Sequence, residues 1–122
     1  MKKKVAIILL AEPGTHEALG RAVHALLYAS ELHEKGAEVK LVFDAGGTKF
    51  VEELAKEESV ANPLFRSVEK LGIIDGVCDY CAGAFEADKE QIKSRNLKLI
   101  SQYNGHPSIA DYILNDYQVI CL

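Results

Sequence analysis

Apolar and polar positions along the chain alternate between short apolar runs and longer stretches of helical period. Residues 4–10 are a continuous β-branched and apolar run, the form of a strand covered on both faces in a parallel sheet. Glu12, Pro13 and Gly14 break it, and Thr15 then caps a helix. The apolar face of that helix is Leu19, Val23, Leu26 and Leu27, and its polar face holds Glu17, Arg21, His24, Glu31 and Lys35. Gly36 stands where a helix C-terminus takes a left-handed residue, so residues 38–43 read as a second buried strand and complete one β-α-β unit.

After a loop over 44–47, a short helix opens at Thr48 or Lys49 and runs through Val51, Leu54 and Ala55. Asn62 and Pro63 start another, with Leu64, Phe65, Val68 and Leu71 on one face and Gly72 at its end. A third strand is predicted near 76–80, then a helical stretch over 81–94 with a break near Phe85 and Glu86, and a fourth strand over 97–102. A loop over 103–107, a helix capped by Ser108 and running to about Asn115, and a last apolar strand over 118–122 finish the series. Strands alternating with helices predict a single domain, 1–122, of the three-layer α/β/α class with a mainly parallel five-stranded sheet. The expected strand order is 2-1-3-4-5.

The length of 122 residues suits one domain that buries its own core without disulfide or metal support. A net charge of −4 counts against nucleic acid or an anionic membrane as a partner, since both call for a basic surface. Lys2, Lys3 and Lys4 ahead of the first apolar run copy the start of a signal peptide. That run, however, stops at Glu12-Pro13-Gly14 without a small-residue cleavage pattern, and it is too short to cross a bilayer. Three cysteines, an odd number, point to free thiols in a reducing, cytoplasmic setting.

In an open parallel sheet, ligands bind beyond the carboxyl ends of the strands. Four segments fall there: 12–16, 44–48, 80–83 and 103–108. Cys78 and Cys81 form a C-x-x-C where a strand meets a helix, a place where backbone N–H groups stabilise a thiolate. The other reading makes them small hydrophobes packed in the core, and Asp75 and Asp79 oppose ionisation if they turn inward. His106, between Gly105 and Pro107, suits an acid, a base or an anion ligand, or else packs its loop. Glu12, Thr15, His16 and Asn104 stand at the same mouth and are binding candidates. Gly46-Gly47-Thr48-Lys49 offers N–H groups to an anion but lacks both the Walker and the G-x-G-x-x-G patterns, so a turn with a helix cap is its simpler meaning. One C-x-x-C supplies two zinc ligands, and neither His16 nor His106 has a second ligand at finger-like spacing, so neither metal nor cofactor is expected. Cys121, in the last apolar strand, is expected to be buried.

The first strand with Glu12-Pro13-Gly14-Thr15 and its long helix, the block from Gly72 through Cys78 and Cys81 to Phe85, and the closing Gly105-His106-Pro107-Ser108 together resemble the DsrE-like family. These are DsrE/DsrF-type proteins related to sulfur-relay subunits. The resemblance implies the fold above, a homo-oligomer of three or six chains, and a sulfur donor or acceptor protein as partner. In the sulfur-relay members a cysteine at the end of the third strand takes up sulfur as a persulfide, and Cys78 matches that position. Cys81 stands where those members more often carry a small residue. Here it is suited to resolving a persulfide on Cys78 as a disulfide, which brings redox sensing or thiol exchange within reach. The implied function is sulfurtransferase-like, with Cys78 as carrier, Cys81 assisting and His106 supporting the anion. The alternative is a non-catalytic domain that binds a small anion or nucleotide and keeps its cysteines as structural residues.

Overall fold

The computed structural model describes residues 2–122. The apolar runs become five parallel strands: β1 (Lys4–Leu9), β2 (Glu38–Phe43), β3 (Ile74–Cys78), β4 (Leu99–Ile100) and β5 (Gln118–Cys121). Between them lie α1 (His16–Glu34), a 3-10 helix (Ala45–Lys49), α2 (Phe50–Ala55), α3 (Asn62–Leu71), α4 (Asp79–Ala84), α5 (Lys89–Ser94) and α6 (Ile109–Leu114). The predicted punctuation holds at atomic level. Thr15 Oγ1 accepts the Ala18 N–H at 3.1 Å, Pro63 lies in the first turn of α3, and Gly72 closes that helix with φ 71°. Ser108 Oγ accepts the Asp111 N–H at 3.2 Å.

One strand is shifted and one is shorter than the sequence pattern indicates. β3 ends at Cys78 rather than near residue 80, and β4 keeps only two of its six predicted residues. The buried stripe of α1 also differs from the expected leucine face. It is made by Ala18, Ala22, Ala25, Leu26 and Ala29, while Leu27 is 44% exposed. Alanines spaced by three and four residues present little bulk, so this stripe suits a close seat on the sheet.

The strand order is β4-β3-β2-β1-β5, which corrects the expected 2-1-3-4-5. The chain steps outward from β1 through β2 and β3 to β4, then returns to pair β5 with the other edge of β1. Right-handed crossovers that step in one direction deposit their helices on one face, and the reversed step deposits its helix on the other. Accordingly Ile7, Leu41 and Phe43 join α1 to α5 in the main core, while Ala6, Ile8 and Val42 form a smaller cluster with Tyr112 of α6, Tyr117 and the partly buried Val119. That second face is covered by a single six-residue helix. Cys121, expected to be buried, is exposed, because β5 is an edge strand that shares this thinly covered side.

Candidate functional site

The connection after β3 leaves for one face of the sheet and the connection after β4 leaves for the other. The carboxyl ends of these adjacent strands therefore flank a topological switch point, where an open α/β sheet holds its ligands. Cys78 is the last residue of β3 and also caps α4, its Sγ accepting the Cys81 N–H at 3.4 Å. From the β4 side, Tyr103 and His106 exchange both backbone hydrogen bonds at 2.8 Å, with Asn104 (φ 49°) and Gly105 (φ 86°) between them. This is the two-residue turn favoured by Asn-Gly. It points the imidazole back at the thiols, with Nδ1 3.2 Å from Cys78 Sγ and 3.7 Å from Cys81 Sγ.

The turn is tied to the cysteine segment by the Tyr80 N–H, which donates to the Gly105 carbonyl at 3.0 Å. The Tyr80 ring lies 4.9 Å from that of His106. A side chain at Gly105 would put its Cβ 3.1 Å from that of Tyr80, so the residue answers both to the left-handed backbone and to the close approach.

Asp44, directly after β2, completes the group. Ligand atoms of Asp44, Cys78, Cys81 and His106 all lie within 4.8 Å of one another. Asp44 was not singled out from the sequence. The available signal was its position at the carboxyl end of β2, where its Oδ1 caps the 3-10 helix by accepting the Ala45 N–H at 2.8 Å. The acidic residues suspected of opposing a thiolate lie elsewhere: Asp75 accepts from the Tyr112 hydroxyl and Asp79 pairs with Lys89.

Cys78 is fully buried, Cys81 is half-buried and both are free thiols. Burial pushes the Cys78 thiol well above its ordinary range. The Cys81 N–H works against the rise, while Asp44 adds to it. The expectation of a thiolate eased by helix N–H groups is thus reversed by desolvation, with an acidic neighbour acting in the same sense. A proton on Cys78 has two side-chain partners, the Asp44 carboxylate and, in the tautomer that leaves this nitrogen unprotonated, His106 Nδ1 at 3.2 Å.

The other sequence candidates stand apart from the thiols. Thr15 and His16 line a separate pocket of about 270 Å³ with Pro13, Phe50 and Glu53. Glu12 is exposed and its backbone packs on Gly46, while Asn104 is exposed and serves the turn. Gly46 and Gly47 are buried against β1 and its exit: a Cβ on Gly47 would stand 2.0 Å from the Leu9 carbonyl oxygen. Their role is close packing. Thr48, also buried, turns its hydroxyl to the Ala45 carbonyl at 2.9 Å and toward that of Cys81 at 3.5 Å. A further cavity of about 360 Å³, lined by Lys4, Lys40, Lys98, Asp75, Tyr112 and Tyr117, contains no thiol.

A parallel α/β/α domain with a thiol pair and a histidine at the switch point defines a small, thiol-bearing class of α/β proteins. Residues 3–122 match the DsrE/DsrF-like family, and the chain belongs to it. It is 37% identical over 98 residues to the uncharacterised protein MJ0733 of Methanocaldococcus jannaschii, a match that covers 80% of this chain and 77% of the relative. No solved structure gives a significant match. Among the described residues, no helix is long and apolar enough to cross a membrane.

Proposed function

We propose that the protein is a sulfur-relay, sulfurtransferase-like carrier in which Cys78 holds a persulfide, Cys81 assists and His106 moves the proton. The observation that carries this reading is the 3.2 Å approach of His106 Nδ1 to Cys78 Sγ, in a member of the DsrE/DsrF-like family. In loading, His106 takes the Cys78 proton, and the thiolate attacks the outer sulfur of a donor persulfide, whose own thiolate leaves. In delivery, an acceptor thiolate attacks the outer sulfur now on Cys78, and the Cys78 thiolate leaves and recovers a proton. Alternatively, Cys81 attacks Cys78 Sγ, forming the disulfide and releasing hydrogen sulfide. An external dithiol then supplies the two electrons that restore both thiols. Cys81, the less buried of the two, stands on the solvent side of the pair.

This reading carries a cytoplasmic, reducing setting, a donor or acceptor protein, and assembly into a trimer or hexamer. Exposed Leu27 and Tyr28 on α1, and Ile109, Ile113 and Leu114 on α6, are apolar surface available to such partners. Exposure of the reduced protein to a polysulfide, followed by peptide mass spectrometry, tests the reading. The expected result is a reductant-sensitive gain of one sulfur atom on the Cys78 peptide, absent in Cys78→Ser, with persulfide accumulating in Cys81→Ser. Adducts confined to Cys121 would reject it.

The full burial of Cys78 favours a second reading, a non-catalytic domain that binds a small anion or nucleotide and whose cysteines are structural. Under it, Cys78→Ser keeps ligand binding and no sulfur adduct forms at Cys78 in the parent protein.

A further inference from the structure

Four side chains from three separate segments of the chain meet at the switch point with the donor set of a transition-metal site. Asp44 comes from the end of β2, Cys78 from the end of β3, Cys81 from the first turn of α4 and His106 from the turn after β4. A tetrahedral zinc ion, with Zn–S near 2.3 Å and bonds to nitrogen or oxygen near 2.0–2.2 Å, spaces its ligand atoms about 3.3–3.8 Å apart. His106 Nδ1 stands 3.2 and 3.7 Å from the two sulfurs, and all four donor atoms lie within 4.8 Å of one another. Closing on a cation therefore needs adjustments of roughly an ångström or less by this geometry.

We infer that Asp44, Cys78, Cys81 and His106 form a closed tetrahedral site for a thiophilic divalent cation of the zinc class. The donor chemistry selects the ion, since two sulfurs and an imidazole suit zinc and disfavour magnesium or calcium. Charge also fits: two thiolates and a carboxylate carry three negative charges around one neutral imidazole, and a divalent cation offsets two of them. Binding displaces the thiol protons, so the cation takes over the task of holding the buried sulfur as an anion. Supporting contacts for three ligands are already in place. The Cys81 N–H reaches Cys78 Sγ, the Ala45 N–H reaches Asp44, and the Tyr80 N–H braces the turn that carries His106. With all four positions supplied by the chain, the site is of the closed kind that retains a metal. The cation uses the same Cys78, Cys81 and His106 atoms as the sulfur-carrier reading, so the metal-bound form and the persulfide-carrying form exclude one another on a given chain.

Cobalt titration of the reduced, metal-free protein under anaerobic conditions tests it. The expected outcome is one equivalent bound, with intense visible bands of tetrahedral cobalt and a near-ultraviolet thiolate charge-transfer band, all displaced by one equivalent of zinc. Cys78→Ser and Cys81→Ser should each weaken the charge-transfer band. Asp44→Asn and His106→Gln should keep it but loosen binding at least about tenfold, and Cys121→Ser should change nothing. Because Cys78 is fully buried, Cys81→Ser and His106→Gln, at half-buried positions, decide the matter if Cys78→Ser does not fold. Weak octahedral spectra without charge transfer, or a band that survives Cys81→Ser and vanishes in Cys121→Ser, would overturn the assignment. No sulfur compound enters this experiment, so its failure leaves the persulfide reading standing.

Discussion

Cys78 Sγ and His106 Nδ1 lie 3.2 Å apart although 28 positions separate them in the chain. The pair exists because β3 and β4 are neighbours whose exits diverge to opposite faces, and because the Asn104-Gly105 turn folds the histidine back over the strand ends. The sulfur is buried and held protonated, so its chemistry depends on a local base or on a cation rather than on spontaneous ionisation.

The thiols should therefore differ in reactivity. On the reduced, metal-free native protein, iodoacetamide should label exposed Cys121 first and half-buried Cys81 next. Cys78 should lag Cys121 by at least about tenfold near neutral pH and gain on it only above the ordinary thiol range. Time-resolved peptide mass spectrometry measures this, with denaturant expected to equalise the three. Early labelling of Cys78 at neutral pH would contradict its burial.

Gly105→Ala should destabilise the fold by about 1–2 kcal/mol, the usual cost of a left-handed backbone for an alanine. The added methyl also meets Tyr80 at 3.1 Å and pushes apart the contact that positions His106. Urea unfolding reads the first effect, and a shift in the His106 ring resonances reads the second.

Two other glycines should respond with opposite signs. Gly47→Ala places a Cβ 2.0 Å from the Leu9 carbonyl oxygen and should cost about 3 kcal/mol or more. Gly20→Ala, inside α1 with nothing near the added carbon, should stabilise by about 0.5–1 kcal/mol. Melting temperatures of the two variants against the parent separate these outcomes.

Stability should fall at alkaline pH. Burial pushes the Tyr112 hydroxyl above its ordinary value of 10.0, with Asp75 adding to the rise, and it pushes Tyr117 up to about 12, with Glu38 adding there. A group whose pKa is raised by folding contributes stability below its unfolded value and loses it as pH rises through the folded one. The buried Cys78 thiol is raised in the same sense, so the urea midpoint should hold to about pH 8.5, begin to fall there and fall more steeply beyond about pH 10. Tyr112→Phe should lose about 1–2 kcal/mol at neutral pH, because Asp75 forfeits its 2.6 Å donor, and should show a shallower alkaline fall.

Much of the architecture was legible because its signals are local. Thr15, Pro63, Gly72 and Ser108 act on the backbone within a turn of where they stand, and each does so in the fold. The strand lengths were less legible. The pattern at 97–102 is apolar enough for a strand, yet only Leu99 and Ile100 find a parallel partner in β3. Leu27 and Cys121 misled for the same reason: a periodic pattern marks apolar residues but does not say which of them a neighbouring element covers.

By itself, the sequence determined the α/β alternation, the C-x-x-C at a strand-to-helix junction and membership of the DsrE/DsrF-like family. These rest on residues that interact within a few positions of one another or on a pattern spread along the whole chain. Only the tertiary structure decided the order β4-β3-β2-β1-β5, the burial of Cys78 and the arrival of Asp44 beside His106. Parallel crossovers of one hand allow several strand orders, and the choice among them is made by long-range packing of helix faces on the sheet, which no local segment encodes.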